Sequence, residues 1–118
     1  MDDDVVIFHN PSCSKSRQTL GILEGHGIEP EIVLYKQAPP DRATLEKIVT
    51  TVDVEPSKLV RRDPEFKEVG LTPADVETAE QVVAVLLAHP ALMERPVVVK
   101  GDRVVLGRPP ENVHALLD

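Results

Sequence analysis

The stretch His9-Asn10-Pro11-Ser12-Cys13-Ser14-Lys15-Ser16-Arg17 sets the chain's only cysteine among hydroxyls and two cations. A cysteine does chemistry as its thiolate. An apolar run, Val5-Val6-Ile7-Phe8, precedes this stretch, and helical spacing follows it. Cys13 therefore falls between a strand end and a helix start. Unpaired backbone N–H groups and the helix dipole favour an anion there, so the thiol pKa drops. Lys15 and Arg17 add positive charge, and Ser12, Ser14 and Ser16 can hydrogen-bond a sulfur or an oxyanion. The competing readings are a buried small hydrophobe for Cys13 and plain helix capping for the serines.

The same loop is a plausible cradle for a tetrahedral oxyanion. It is neither of two familiar cysteine designs. A Cys-x5-Arg loop needs arginine at position 19, which holds Thr19. A Cys-x-x-Cys dithiol needs cysteine at position 16, which holds Ser16. One nucleophilic thiol with no internal resolving cysteine requires an outside thiol to complete any redox cycle. A Cys-rich zinc site is also excluded, and no metal is expected.

Arginines recur at Arg61-Arg62, Arg95-Pro96 and Arg108-Pro109. Arginine presents a charged planar fork that fits oxyanion oxygens. Each one alone could equally be a solvated surface charge.

The elements that must position these residues follow from periodicity. Val5 to Phe8 predicts a strand, residues 15–26 a helix stopped by Gly25 and Gly27, and Glu31-Ile32-Val33-Leu34-Tyr35 a second strand. Strand, helix, strand with short connections implies a right-handed parallel unit. Residues 44–52 have helical spacing, a short helix ends at Gly70, and Thr72-Pro73 opens a helix running to His89. Val97-Val98-Val99 and Val104-Val105-Leu106 flank a tight Gly101-Asp102 turn, a hairpin. Pro109-Pro110-Glu111 opens a last helix through Leu117.

The expectation is an α/β, thioredoxin-like fold. Its sheet is mixed and four-stranded, β-α-β then β-β-α, with a helical insertion at about 41–90, in a single domain over residues 1–118. In that layout the loop before the third strand lies beside the cysteine. A proline there is often cis, which favours Arg95 as the best-placed arginine.

Composition sets outer bounds. The net charge of −7 disfavours non-specific nucleic-acid binding. With two Phe, one Tyr and no Trp, base-stacking platforms are not expected. No apolar run approaches a membrane span, and the acidic start does not resemble a secretory signal, so a cytoplasmic location is expected.

Taken together, the motifs resemble the glutaredoxin-dependent arsenate reductase (ArsC) family. The opening pattern His-Asn-Pro-x-Cys-x-x-Ser-Arg-x-x-Leu is complete from His9 to Leu20. Tyr35 with Pro39-Pro40, Leu59-Val60-Arg61-Arg62, Arg95-Pro96-Val97-Val98-Val99 and Arg108-Pro109-Pro110-Glu111 follow in the family's order. The Ser-Lys-Ser after the cysteine is similar to a chromosomal branch of the family.

The resemblance implies that Cys13 attacks arsenate. Glutathione, or another low-molecular-weight thiol, then displaces the adduct as co-substrate, and glutaredoxin reduces the mixed disulfide. No bound cofactor is implied. Arg61, Arg95 and Arg108 match the family's oxyanion-binding arginines. His9 matches a histidine held to support the thiolate, although a structural role at the turn fits it as well. Asn10, Ser16 and Arg17 complete the supporting set. Two alternatives share the fold: an Spx-like transcription regulator that binds RNA polymerase, and a thiol reductase acting on another substrate. Ser16 in place of a second cysteine counts against a disulfide switch.

Overall fold

The computed structural model describes residues 4–117; residues 1–3 and 118 lie outside it. Strand β1 (Val5–Phe8) leads to helix α1 (Ser14–Gly25), and strand β2 (Glu31–Val33) follows. Then come α2 (Arg42–Thr51), a 3-10 turn at Pro56–Leu59, α3 (Pro64–Glu68), a 3-10 turn at Pro73–Val76, α4 (Ala79–Ala88) and a 3-10 turn at Pro90–Leu92. Strands β3 (Val97–Lys100) and β4 (Arg103–Leu106) and a 3-10 segment, Pro110–Leu116, close the chain.

The four-stranded sheet has the order β2-β1-β3-β4. β1 pairs parallel with β2 and antiparallel with β3, and β3 pairs antiparallel with β4. This is the expected mixed thioredoxin-like sheet, with the helical insertion between β2 and β3.

The strands read as unbroken apolar runs because both sheet faces are covered. Side chains alternate between the faces. Ile7, Val98 and Val105 join Leu23, Val113 and Leu116 under α1 and the C-terminal segment. Phe8, Val97, Val99, Val104 and Leu106 meet the insertion through Leu45, Ile48, Val82 and Leu86. The hairpin turns on Gly101, whose φ of +60° suits glycine.

Three sequence expectations change. β2 ends at Val33, so Leu34 and Tyr35 lie beyond it in a turn, with the amides of Gln37 and Ala38 donating to Leu34 O. The helix expected from Thr72 to His89 is two pieces. Thr78 is extended and forms a capping box with Gln81, which restarts the chain as α4. The C-terminal helix is 3-10 rather than α. Among the described residues, no helix is long and apolar enough to cross a membrane, and no group of three or more His, Cys, Asp or Glu could hold a metal.

Candidate active site

The loop from β1 to α1 leaves the sheet at His9, whose amide donates to Val33 O at 2.9 Å. The Cys13 amide donates to Asn10 O at 3.0 Å, closing a turn around Pro11 and Ser12. Asn10 Oδ1 accepts from the Ser12 amide at 2.9 Å. Cys13 is the N-cap of α1, with extended φ −97° and ψ 123°, and no side chain caps the helix. The first amides of α1 therefore remain available to the cysteine sulfur.

Partial burial pushes the Cys13 thiol up. The Ser16 amide, the Arg95 guanidinium and the Lys15 amide outweigh it, so the pKa falls below the ordinary cysteine value. Lys15 thus acts through its backbone. Arg17 turns away, and its Nη1 donates to Pro11 O at 2.8 Å.

His9 Nδ1 lies 2.6 Å from Ser16 Oγ, and both residues are buried. The Asn10 amide donates to the same Oγ at 3.1 Å. The Ser16 hydroxyl is thereby spent on holding the loop, while its amide serves the sulfur. Burial, and then the charge of Arg17, lower the His9 pKa and favour the neutral ring. His9 thus braces the thiolate loop through Ser16.

The arginines arrive on two other segments. Leu59–Arg61 runs antiparallel to Leu92–Glu94. Val60 pairs with Met93, the Arg61 amide donates to Leu92 O at 2.8 Å, and the Glu94 amide donates to Leu59 O at 2.7 Å. This local pairing carries Arg61 and Arg95 to the same end of the sheet.

Arg108 follows β4. The Gly107 amide donates to Pro96 O at 2.9 Å. A Cβ on Gly107 would come 2.8 Å from Pro96 Cγ and 2.8 Å from Thr19 Oγ1, so α1 and the Pro96 loop close directly onto the glycine. Both Arg95-Pro96, as expected, and Arg108-Pro109, which was not anticipated, are cis.

Arg108 Nη1 lies 3.9 Å from Cys13 Sγ and donates to Arg95 O at 3.1 Å. Arg95 Nε is buried with no hydrogen-bond partner. Arg61 is held differently: its Nη1 pairs with Asp63 Oδ2 at 3.0 Å. The structure therefore gathers His9, Asn10, Cys13, Ser16, Arg95 and Arg108 closely. Arg61 stands at the margin, and Arg17 is a brace on the loop's outer side.

Sequence reasoning missed two residues here. Tyr35 is fully buried, and its hydroxyl donates to Met93 O at 3.3 Å. Burial raises its pKa above the ordinary phenol value, outweighing Arg95, Arg61 and a hydrogen bond with Asn10, which pull the other way. Tyr35 entered the sequence reading only as part of the Tyr35 and Pro39-Pro40 motif, not as a site residue, and that motif was the available signal. Glu94 was also missed. Its Oε1 lies 3.5 Å from Arg108 Nη1 and accepts from the Arg95 amide at 3.3 Å.

Known proteins are similar to this chain over nearly its whole length. An arsenate reductase of Haemophilus influenzae is 41% identical over 115 residues, covering 96% of this chain and 98% of the relative. YfgD of Escherichia coli, whose name assigns no activity, is 40% identical over 115 residues, with 96% of each chain covered. The solved structure of an arsenate reductase from Vibrio cholerae superposes with a TM-score of 0.86 at 35% identity, covering 98% of both chains. The sequence matches the ArsC family from residue 8 to residue 116, a span running from the strand before the cysteine to the last 3-10 segment, and the chain belongs to that family.

Proposed function

We propose that this protein is an arsenate reductase that uses Cys13 as nucleophile, glutathione as co-substrate and glutaredoxin as the regenerating thiol. The observation that carries this reading is the meeting of a thiol of lowered pKa with Arg95 and Arg108, one Nη1 lying 3.9 Å from the sulfur. The buried, unpartnered Arg95 Nε supports it, because a bound oxyanion would satisfy that donor. The names of the relatives support arsenate as that oxyanion.

In the proposed cycle, the Cys13 thiolate attacks arsenic(V), a sulfur–arsenic bond forms, and one arsenate oxygen leaves as water after protonation. The glutathione thiolate then attacks Cys13 Sγ. A disulfide forms, and the sulfur–arsenic bonding pair stays on arsenic, which departs as arsenite. Two thiolates have lost two electrons and arsenic has gained them. The glutaredoxin thiolate attacks the glutathione sulfur and frees Cys13.

Arg95 and Arg108 bind the equatorial oxygens as charge-assisted donors, and Arg61 closes over them when it leaves Asp63. The reading sets the protein in the cytoplasm, where thiols stay reduced. The converging arginines favour an oxyanion enzyme over an Spx-like regulator of the same fold.

Arsenite formation in the presence of glutathione and glutaredoxin tests the proposal. The wild type should turn over, and folded Cys13→Ser should not. No arsenite from the wild type, or equal arsenite from the variant, overturns it.

A further inference from the structure

A cleft of about 490 Å³ opens beside Arg108, on the side formed by the Pro56–Leu59 turn. Glu55, Ser57, Lys58, Arg62, Glu94 and Arg108 line it. Arg108 is the wall shared with the catalytic sulfur, since its Nη1 lies 3.9 Å from Cys13 Sγ and 3.5 Å from Glu94 Oε1. The cleft therefore shares the Arg108 side chain with the thiolate, while, among the described residues, none from the cysteine loop lines it.

Its charges are informative. Glu94 and Arg108 neutralise each other. Lys58 and Arg62 are exposed and have no ion-pair partner among the described residues, and Glu55 is the remaining acid. Two open cations and one open carboxylate complement a ligand with two carboxylates and one ammonium. In a chain of net charge −7, this lining, with Lys58, Arg62 and Arg108 against Glu55 and Glu94, carries a small positive excess.

The single cysteine needs a second thiol from outside. We infer that this cleft binds that thiol, and that Lys58, Arg62 and Glu55 select a small peptide thiol carrying two carboxylates and one ammonium, which is the charge pattern of glutathione. The inference rests on the proposed thiol cycle but not on arsenate as its substrate.

The test is thiol–disulfide exchange without arsenate, so failure of the arsenate reading and failure of the cleft give different results. The Cys13 thiolate attacks a disulfide sulfur, one sulfur–sulfur bond replaces another, and a thiolate leaves. The rate is measured by mass spectrometry with oxidised glutathione and with uncharged hydroxyethyl disulfide, and their ratio is the readout.

Lys58→Glu and Arg62→Glu should each lower the glutathione preference by about fivefold, since each replaces a solvent-exposed attraction with a repulsion. The double variant should lower it further. Arg42→Glu, a charge reversal elsewhere on the surface, should keep the wild-type preference. An unchanged ratio in the double variant, or an equal fall in Arg42→Glu, overturns the proposal. If the ratio survives in all variants but a larger thiol protein still reacts faster with wild type than with the double variant, the cleft is a protein-docking surface and the small-thiol assignment is wrong.

Discussion

At the scale of the residue, Cys13 owes its character to the Ser16 and Lys15 amides and the Arg95 guanidinium, which overcome burial. Its alkylation by iodoacetamide should titrate with a midpoint below the free-thiol value of about 8.5. A midpoint at or above that value would remove the reactive-thiol reading. The sign for stability follows: a depressed folded pKa favours the native state above the unfolded pKa, and that contribution fades as pH falls through the folded value.

His9 behaves in the same direction for a different reason. Burial holds it neutral, so charging it opposes folding. Unfolding free energy should fall as pH drops below about 6.5, with a smaller fall in His9→Asn. Equal slopes would show that His9 is not the responsible group. Arg95→Ala and Arg108→Ala should each lower kcat/KM for arsenate by about tenfold or more, given about 1.5–3 kcal/mol for a charged hydrogen bond. Unchanged kinetics in both would return them to ordinary surface charges.

Residue type and order made Cys13 and the arginines legible. Glu94 and Asp63 were not, because an acid beside an arginine in sequence has no fixed geometry until the backbone sets one. Likewise, nothing in the pattern around Ser16 told that its hydroxyl faces His9 rather than the sulfur.

At the scale of the element, the site depends on how closely β4 approaches α1. Gly107 is the contact point, with Pro96 Cγ and Thr19 Oγ1 each 2.8 Å from where a Cβ would stand. The Thr19 hydroxyl is engaged with Lys15 O at 2.9 Å, and the Pro96 ring is rigid, so neither gives way easily. Gly107→Ala should destabilise the protein by about 1–3 kcal/mol, as overpacking does. It should also lower kcat/KM, because Arg108 shifts with its strand. Denaturant unfolding and arsenate kinetics check this, and wild-type values for both would mean that the gap closes freely.

Strands and the hairpin were readable because buried valines and the Gly101 turn carry strong local signals. The break at Thr78 was not, since a capping box in mid-segment competes with an Ala- and Val-rich pattern that favours a continuous helix. The 3-10 form of Pro110–Leu116 was equally hidden, because its apolar spacing suits either helix.

At the scale of the whole molecule, the sheet is a partition. One face packs on α1 and the C-terminal segment, and the other on the helical insertion. Tyr35, Val60 and Met93 belong to the insertion-side core, and the same neighbourhood carries Arg61 and Arg95 to the cysteine loop. The insertion side thus supplies Arg95 before β3, while the chain after the hairpin supplies Arg108. The thiolate on one segment and its cations on two others make the site a property of the assembled fold. Isolated strand-helix units would lack it.

A single turnover tests that account most directly. The protein is mixed with arsenate and glutathione, without glutaredoxin, and arsenite and the mass of Cys13 are followed together. The account predicts one arsenite for each Cys13 that becomes joined to glutathione. Arsenite without modified Cys13, or modified Cys13 without arsenite, would contradict it.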